Sequence, residues 1–364
     1  MKATLTQENL ARALGVVSRV ASSRTTLPVL NNILIRTEDG GLVLAATNLE
    51  VAITEKIPAK IEREGLVMAP ARLMTEFIAN LPKTNIELSA SDNKITITAG
   101  NYQSVVNTVA SDEFPALPEP KPNATFIKIP TASFKKAATS TTLVASNDTT
   151  RPILTGVYLH TRGGDLYMAA TDGYRLAEKK VLPLTQEIAA IVPASTLNEV
   201  VRIINETTEE VALNFDDDQI SFAVGEAMIT SRLISGNFID YRQLIPAKTD
   251  VVAVLDRSEF VRITKISELF ARESAGSITL KADPATSTLS IHSIMSELGE
   301  NKSMAEATVK GGGTITLNSR FLLDALSQID SDNVKFQFSG KLAPALLTAE
   351  DDDTYRHIIM PVKS

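Results

Sequence analysis

The chain repeats itself, and a repeat restricts the possible folds more than any single motif does. LPVLNNILI at 27–35 lines up with RPILTGVYL at 151–159, Pro28 matching Pro152 at an offset of 124. Thr47 and Thr171 keep that offset within AATNLEVAI (45–53) and AATDGYRLA (169–177). So do Phe114 and Phe238, while Pro70 falls against Pro193 at an offset of 123. A third copy is fainter: NIELSAS (85–91) matches NVKFQFS (333–339) at an offset of 248. Each copy opens on a short apolar strand leading to a helix, in ATLTQENL, IKIPTASF and AVLDRSEF. Thr6, Thr131 and Asp256 are the expected N-caps, because their side-chain oxygens can take up free N–H groups of the first turn.

Within each copy the order is strand, helix, several strands, helix, several strands. Helices are expected in the windows 6–22, 70–82, 130–146, 193–206, 256–272 and 318–330. Leu10, Leu14 and Val17 share one face of the first, and Leu322, Leu326 and Ile329 share one face of the last, at the 3.6-residue period of a half-buried helix. LVLAAT, IELSAS, KITITAG, ISFAVG and TLSIHSI alternate apolar and polar residues, as half-buried antiparallel strands do. The Pro-rich LPEPKPN (117–123) and FIDYRQLIPAKTD (238–250) separate the copies. At 364 residues the chain is too long for one ordinary core. The expected fold is therefore α+β, with three repeated domains at 1–122, 123–246 and 247–364, each carrying two helices packed on antiparallel sheets.

Catalytic motifs do not emerge. There is no phosphate-binding loop, dinucleotide fingerprint or nucleophile elbow, and the run Gly311-Gly312-Gly313 leads into a strand instead of a helix N-terminus. Cysteine is absent, which removes disulfides and thiolate sites. His160, His292 and His357 lie far apart, without the i, i+4 pair that would hold a metal. The runs Asp216–Asp218 and Asp351–Asp353 read as solvated turn tips, since carboxylate cages draw on alternating residues. No catalytic residue, cofactor or metal is expected. Neither a membrane-spanning run nor a leader pattern is present at the N-terminus, which makes the cytoplasm the expected compartment.

The net charge of −7 argues against a surface that grips nucleic acid everywhere. Its distribution is uneven: the six helix windows hold 11 Lys or Arg against 9 Asp or Glu, and the remainder holds 25 against 34. The helix at 130–146 carries Lys135 and Lys136 and no acid.

TLPVLNNILI after Arg24, ATDGYRLA, NFIDYRQLIP and the ending IIMPVKS together resemble the bacterial DNA polymerase sliding-clamp family, over the whole chain. The resemblance implies a processivity factor: a homodimer closed head to tail into a ring, with double-stranded DNA passing through a hole lined by helices. It also implies that the replicative polymerase, the clamp loader and other proteins with clamp-binding motifs dock short extended peptides between the second and third domains. By that resemblance Arg24 is a DNA contact, and Lys135 and Lys136 join it on the charge reading. The implied joint between subunits pairs the strand around 103–109 with the segment 266–280, Val106 on one side and Leu269 on the other.

The same resemblance names the docking residues. The second repeat contributes Leu154, Thr171, Gly173, Tyr174, Arg175 and Leu176, followed by Ile239 and Leu244 from the junction. The third contributes Asn318, Phe321, Leu342 and Pro344, and the tail Met360, Pro361 and Val362. An apolar cleft with a few fixed polar groups suits a peptide's leucine or aromatic anchors. The first copy, AATNLEVAI, reads as a strand running on into the next, whereas Gly173 in the second marks a tight turn. The chain departs from the family pattern at Gln243, at Ala194-Ser195 and at the ending Lys363-Ser364. On the residues alone two other classes stay open, a hydrolase using an acidic cluster and a β-rich scaffold that assembles without DNA.

Overall fold

The computed structural model of the chain describes residues 1–21, 27–91, 93–110, 113–117, 126–216, 218–295 and 299–362. The first repeat contains β1 (Lys2–Thr6), α1 (Gln7–Val17), β2 (Asn32–Glu38), β3 (Gly41–Thr47), β4 (Val51–Pro58), β5 (Lys60–Arg63) and β6 (Leu66–Pro70). It continues with α2 (Ala71–Ala79), β7 (Asn85–Ser91), β8 (Lys94–Ala99) and β9 (Tyr102–Asn107). The second holds β10 (Ile127–Pro130), α3 (Thr131–Thr142), β11 (Gly156–Arg162), β12 (Asp165–Thr171), β13 (Arg175–Pro183) and β14 (Ala189–Pro193). It ends with α4 (Ala194–Ile203), β15 (Glu210–Phe215), β16 (Gln219–Val224) and β17 (Ala227–Arg232). The third opens with β18 (Val251–Asp256), α5 (Arg257–Leu269), β19 (Ser277–Asp283), β20 (Thr288–Met295), β21 (Gly299–Glu306) and β22 (Thr308–Lys310). It closes with β23 (Gly313–Asn318), α6 (Ser319–Gln328), β24 (Asn333–Phe338), β25 (Ala345–Ala349) and β26 (Tyr355–Ile359). Each expected helix window holds a helix, and every repeat keeps two.

The caps follow local chemistry with one exception. The Thr6 hydroxyl accepts from the Asn9 N–H, and the Asp256 carboxylate from the Glu259 N–H. Thr131 departs from the expectation. It is the first residue inside α3, and its hydroxyl is buried without a hydrogen-bond partner. The position before α3 falls to Pro130, the last residue of β10, which has no side-chain oxygen to offer the first turn.

Two compact units form, and their limits are not those of the repeats: Met1–Phe134 with Ser195–Leu233, and Lys135–Ala194 with Ile234–Ser364. The first unit has a five-stranded sheet, β5-β1-β7-β8-β9, and an eight-stranded one, β10-β15-β16-β17-β4-β3-β2-β6. Its core holds Leu10, Leu14 and Val17 of α1, all fully buried, and an edge-to-face pair of Phe134 and Phe222 with ring centres 5.9 Å apart. The second unit has a nine-stranded sheet, β14-β11-β12-β13-β26-β25-β24-β18-β22, and a four-stranded one, β21-β20-β19-β23. Phe336 packs there between Phe260 and Phe338 at 5.7 and 5.4 Å. Aromatic pairs of this kind add roughly 0.5–1.5 kcal/mol to their burial.

The larger sheets are shared between consecutive repeats. Strand β17 pairs with β4, setting Ile229 opposite Ile53, and β26 pairs with β13, setting Ile358 opposite Leu176. A repeat is thus a unit of sequence whose strands complete their hydrogen bonds on a neighbouring repeat.

Candidate functional site

The turn after β12 organises the candidate site in the second unit. The Thr171 hydroxyl donates to the Arg175 carbonyl at 2.6 Å and accepts from the Gly173 N–H at 3.0 Å. Asp172 Oδ1 accepts from the N–H groups of Tyr174 and Arg175, at 2.8 and 3.0 Å. Gly173 has φ +95°, a conformation that costs L side chains energy, so glycine belongs there. The turn lifts Tyr174 outward, 65 % exposed.

The first repeat makes the same turn, which corrects the expectation of a continuous strand. Thr47 donates to the Val51 carbonyl and accepts from the Leu49 N–H, both at 3.0 Å. Asn48 Oδ1 accepts from the N–H groups of Glu50 and Val51 at 3.0 and 2.8 Å. Leu49 occupies the place of Gly173 at φ +76°. The Thr-Asx pair that both copies share builds the turn through its side chains, so the missing glycine hid it.

Around this turn the structure gathers most of the expected docking residues. Leu154 is half-buried in the single helical turn Pro152–Thr155. Ile239 and Leu244 stay exposed on either side of Tyr241, within or beside the turn Tyr241–Leu244. The Met360 N–H donates to the Tyr174 carbonyl at 2.8 Å, and the Val362 N–H to the Thr316 carbonyl at 2.9 Å. The tail, with Pro361 between those bonds, thereby straps a second-repeat turn to a third-repeat strand. Leu342 is largely exposed and Pro344 half-buried, both between β24 and β25.

Three of the expected contacts are committed to internal work. Leu176 is 1 % exposed, packed with Ala169, Tyr241, Leu346 and Ile358, and supports the site from beneath. Asn318 caps α6: its Oδ1 accepts from the Arg320 and Phe321 N–H groups, and its Nδ2 donates to the Ala275 carbonyl. The Arg175 guanidinium lies 4.4 Å over the half-buried Phe321 ring and pairs with two carboxylates. Sequence reasoning missed three neighbours of the turn. Asp172 was legible in the Asp-Gly step, but Arg151, beside Gly173, and Asp324 carry no local signal.

The junction is pinned by a buried polar set. The Tyr241 hydroxyl donates to Glu178 Oε2 at 2.5 Å and lies 2.8 Å from His160 Nε2, which must then be the donor to it. Burial, followed by the Arg242 charge, lowers the pKa of His160 to about 4, so the ring is neutral. Burial and Glu178 push the Tyr241 hydroxyl upward. Phe238 stacks on Tyr158 at 5.0 Å beside this set. His357 is held by the Tyr355 hydroxyl at 2.7 Å, and burial lowers its pKa to about 3. The exposed His292 sits 3.0 Å from Glu300.

The cationic candidates fare differently. Arg24 lies outside the described residues. Lys135 is exposed, whereas Lys136 is ion-paired to Asp330 at 2.5 Å. Arg72, Arg202 and Arg262 pair with Glu76, Glu199 and Glu259 on their own helices. In the acidic runs, Asp352 accepts from the Thr354 N–H and hydroxyl, Asp353 pairs with Arg356, and Asp217 lies outside the described residues. Among the described residues no helix is long and apolar enough to cross a membrane.

Of the two residues expected at the subunit joint, Val106 is buried and Leu269 is exposed. Val106 is buried at 7 %, paired with Ile95, while its neighbour Val105 points to the other face because side chains alternate along β9; Val105 and, at the start of the strand, Tyr102 are exposed. The segment 266–280 contributes exposed Ile266 and Leu269, but its strand β19 is flanked on both sides, by β20 and β23. Strand β21 ends that sheet, as β9 ends the five-stranded one.

Comparison with known proteins agrees over the full length. Residues 1–118, 128–240 and 242–363 match the family described as DNA polymerase III beta subunit, in its N-terminal, central and C-terminal domains respectively. The chain is 29 % identical to the beta sliding clamp of Staphylococcus epidermidis, over 100 % of both sequences. It is 28 % identical to that of Staphylococcus aureus, with the same coverage. The crystal structure of the DNA polymerase sliding clamp from Bacillus subtilis superposes with a TM-score of 0.96 at 28 % identity, covering 100 % of this chain and 99 % of that one. The DNA polymerase III subunit beta from Pseudomonas aeruginosa gives a TM-score of 0.93 at 27 % identity, covering 100 % of each.

Proposed function

The chain belongs to the DNA polymerase III beta subunit family, and we propose that it tethers the replicative polymerase to duplex DNA as a ring closed by two copies head to tail. It is a sliding clamp and not an enzyme. The observation that carries the assembly is the pair of sheet-ending strands β9 and β21, each next to exposed apolar side chains. Tyr102 and Val105 stand on one side, and Ile266, Leu269 and Met304 on the other. A head-to-tail contact uses two different surfaces and closes only if its rotation fits. Joining β9 of one copy to β21 of the next would also satisfy two rows of unpaired backbone groups.

Such a clamp holds DNA by topology. Each neutralised phosphate adds to the attraction a sliding protein must overcome, and ion pairing on the helices keeps that attraction low. Lys135 and Arg24 are the cations this reading assigns to DNA; Lys136 is secondary because Asp330 already neutralises it. The three domains divide near 122 and 246, and the cytoplasm is the compartment.

The cleft beside Tyr174 takes the partner peptide. Tyr174, Ile239, Leu244 and Leu342 offer exposed apolar surface in one unit, next to a strap that runs from Met360 to Val362. Polymerase, clamp loader and other motif-bearing proteins would compete for it.

The test is electron microscopy with light scattering, followed by retention on DNA. Closed two-fold rings at twice 39.2 kDa, held on circular and lost from linear duplex, are the expected result. Monomers that bind both forms equally would refute the clamp.

A further inference from the structure

The turn does not require an arginine side chain at position 175. The first repeat builds the same turn with Val51 at that position, and its four side-chain-to-backbone bonds are intact. The arginine therefore has another task, and its contacts show which. Nε donates to Asp172 Oδ2 at 3.0 Å, Nη2 to the Leu143 carbonyl at 3.0 Å, and Nη1 to Asp324 Oδ2 at 2.5 Å. Its side chain is only 11 % exposed. Phe321 and Asp324 stand one helical turn apart on α6, so ring and carboxylate hold the guanidinium together. A planar cation with donors in a fixed fork transmits orientation in a way a flexible ammonium would not.

The consequence is mechanical. Asp172 fixes the turn that presents Tyr174, and α6 carries Phe321 against the guanidinium. Arg175 links the two. We propose that Asp324, acting through Arg175, is the positioning residue that sets the spacing of the cleft walls and so the affinity for peptide. The inference rests on the docking role assigned to this cleft.

Without Asp324 the guanidinium keeps Asp172 and the Leu143 carbonyl, so the chain still folds while α6 loses its tie. The experiment measures fluorescence anisotropy of a fluorescein-labelled pentapeptide carrying a leucine and an aromatic anchor, titrated with full-length protein. Asp324→Asn is expected to weaken binding about tenfold or more, the typical cost of loosening a supporting hydrogen bond to a charged group. Molar mass in light scattering should be unchanged. Asp324→Glu keeps a carboxylate on the same helical face and should restore most of the affinity, which a merely structural loss would not allow. Equal binding by the wild type and Asp324→Asn would remove the positioning role while leaving docking intact. Equal weakness of the Asn and Glu variants would also remove it. No binding by the wild type would sink the docking role, and the inference with it.

Discussion

Leu49 and Gly173 occupy equivalent turn positions with positive φ, and only one of them is a glycine. A left-handed conformation costs an ordinary residue roughly 1–2 kcal/mol, part of which glycine's extra freedom in the unfolded chain offsets. Leu49 is half exposed, so replacing it loses little packing. Leu49→Gly should stabilise the first unit by about 0.5–1 kcal/mol, read as a higher urea midpoint; a lower midpoint would mean the leucine packs more than its exposure indicates. His160 gives a second residue-level expectation. Its pKa of about 4 lies below the unfolded value near 6.5, so the unfolded chain takes up the proton first. Stability is then fully present above pH 6.5 and falls as the pH drops toward 4, by at most roughly 1.4 kcal/mol per pH unit from this one group. His160→Gln should show a shallower loss between pH 7 and pH 5 in parallel urea titrations, and an unchanged slope would contradict the assignment.

Strands and helices act through their faces and edges. On β9 the alternation puts Val105 outward and Val106 inward, and the two should respond in opposite ways. Val105→Glu places a charge on the edge strand proposed for the joint, and should shift light scattering from dimer to monomer with little change in folding. Val106→Ala should leave the dimer but lower stability by roughly 1–3 kcal/mol, as lost buried methyl groups do. The tail works as an element too. Removing 360–364 deletes the strap bonded to Tyr174 and Thr316, so affinity for the labelled pentapeptide should drop while the dimer persists. Unchanged affinity would move the docking site elsewhere.

For the whole molecule, topology and electrostatics predict different salt responses. A protein held by about 6–10 phosphate contacts loses roughly 10³–10⁵ in affinity between about 50 and 200 mM salt. A closed ring on circular duplex should stay bound across that range, because escape requires opening the joint, whose candidate surfaces are mostly apolar. Loss in parallel with linear DNA would place the binding in the helix cations instead.

The repeat offset, the helix periods and the strand alternation were all legible as text, because each depends on neighbours a few residues away. They sufficed for three α+β repeats, six helices and the Asp-Gly turn. Absolute phase and partnership were not legible. Alternation says that Val105 and Val106 face opposite ways, but only packing on β8 says which is buried. Lys136 reads as a free cation until Asp330 is brought beside it, and no local pattern pairs Arg175 with Asp324, 149 residues away. Likewise β19 is hidden and β21 ends its sheet because of hydrogen bonds made across the fold. Short-range chemistry selects the elements. Which of their faces and charges remain for a partner depends on contacts between residues far apart in the chain, and no local pattern records those.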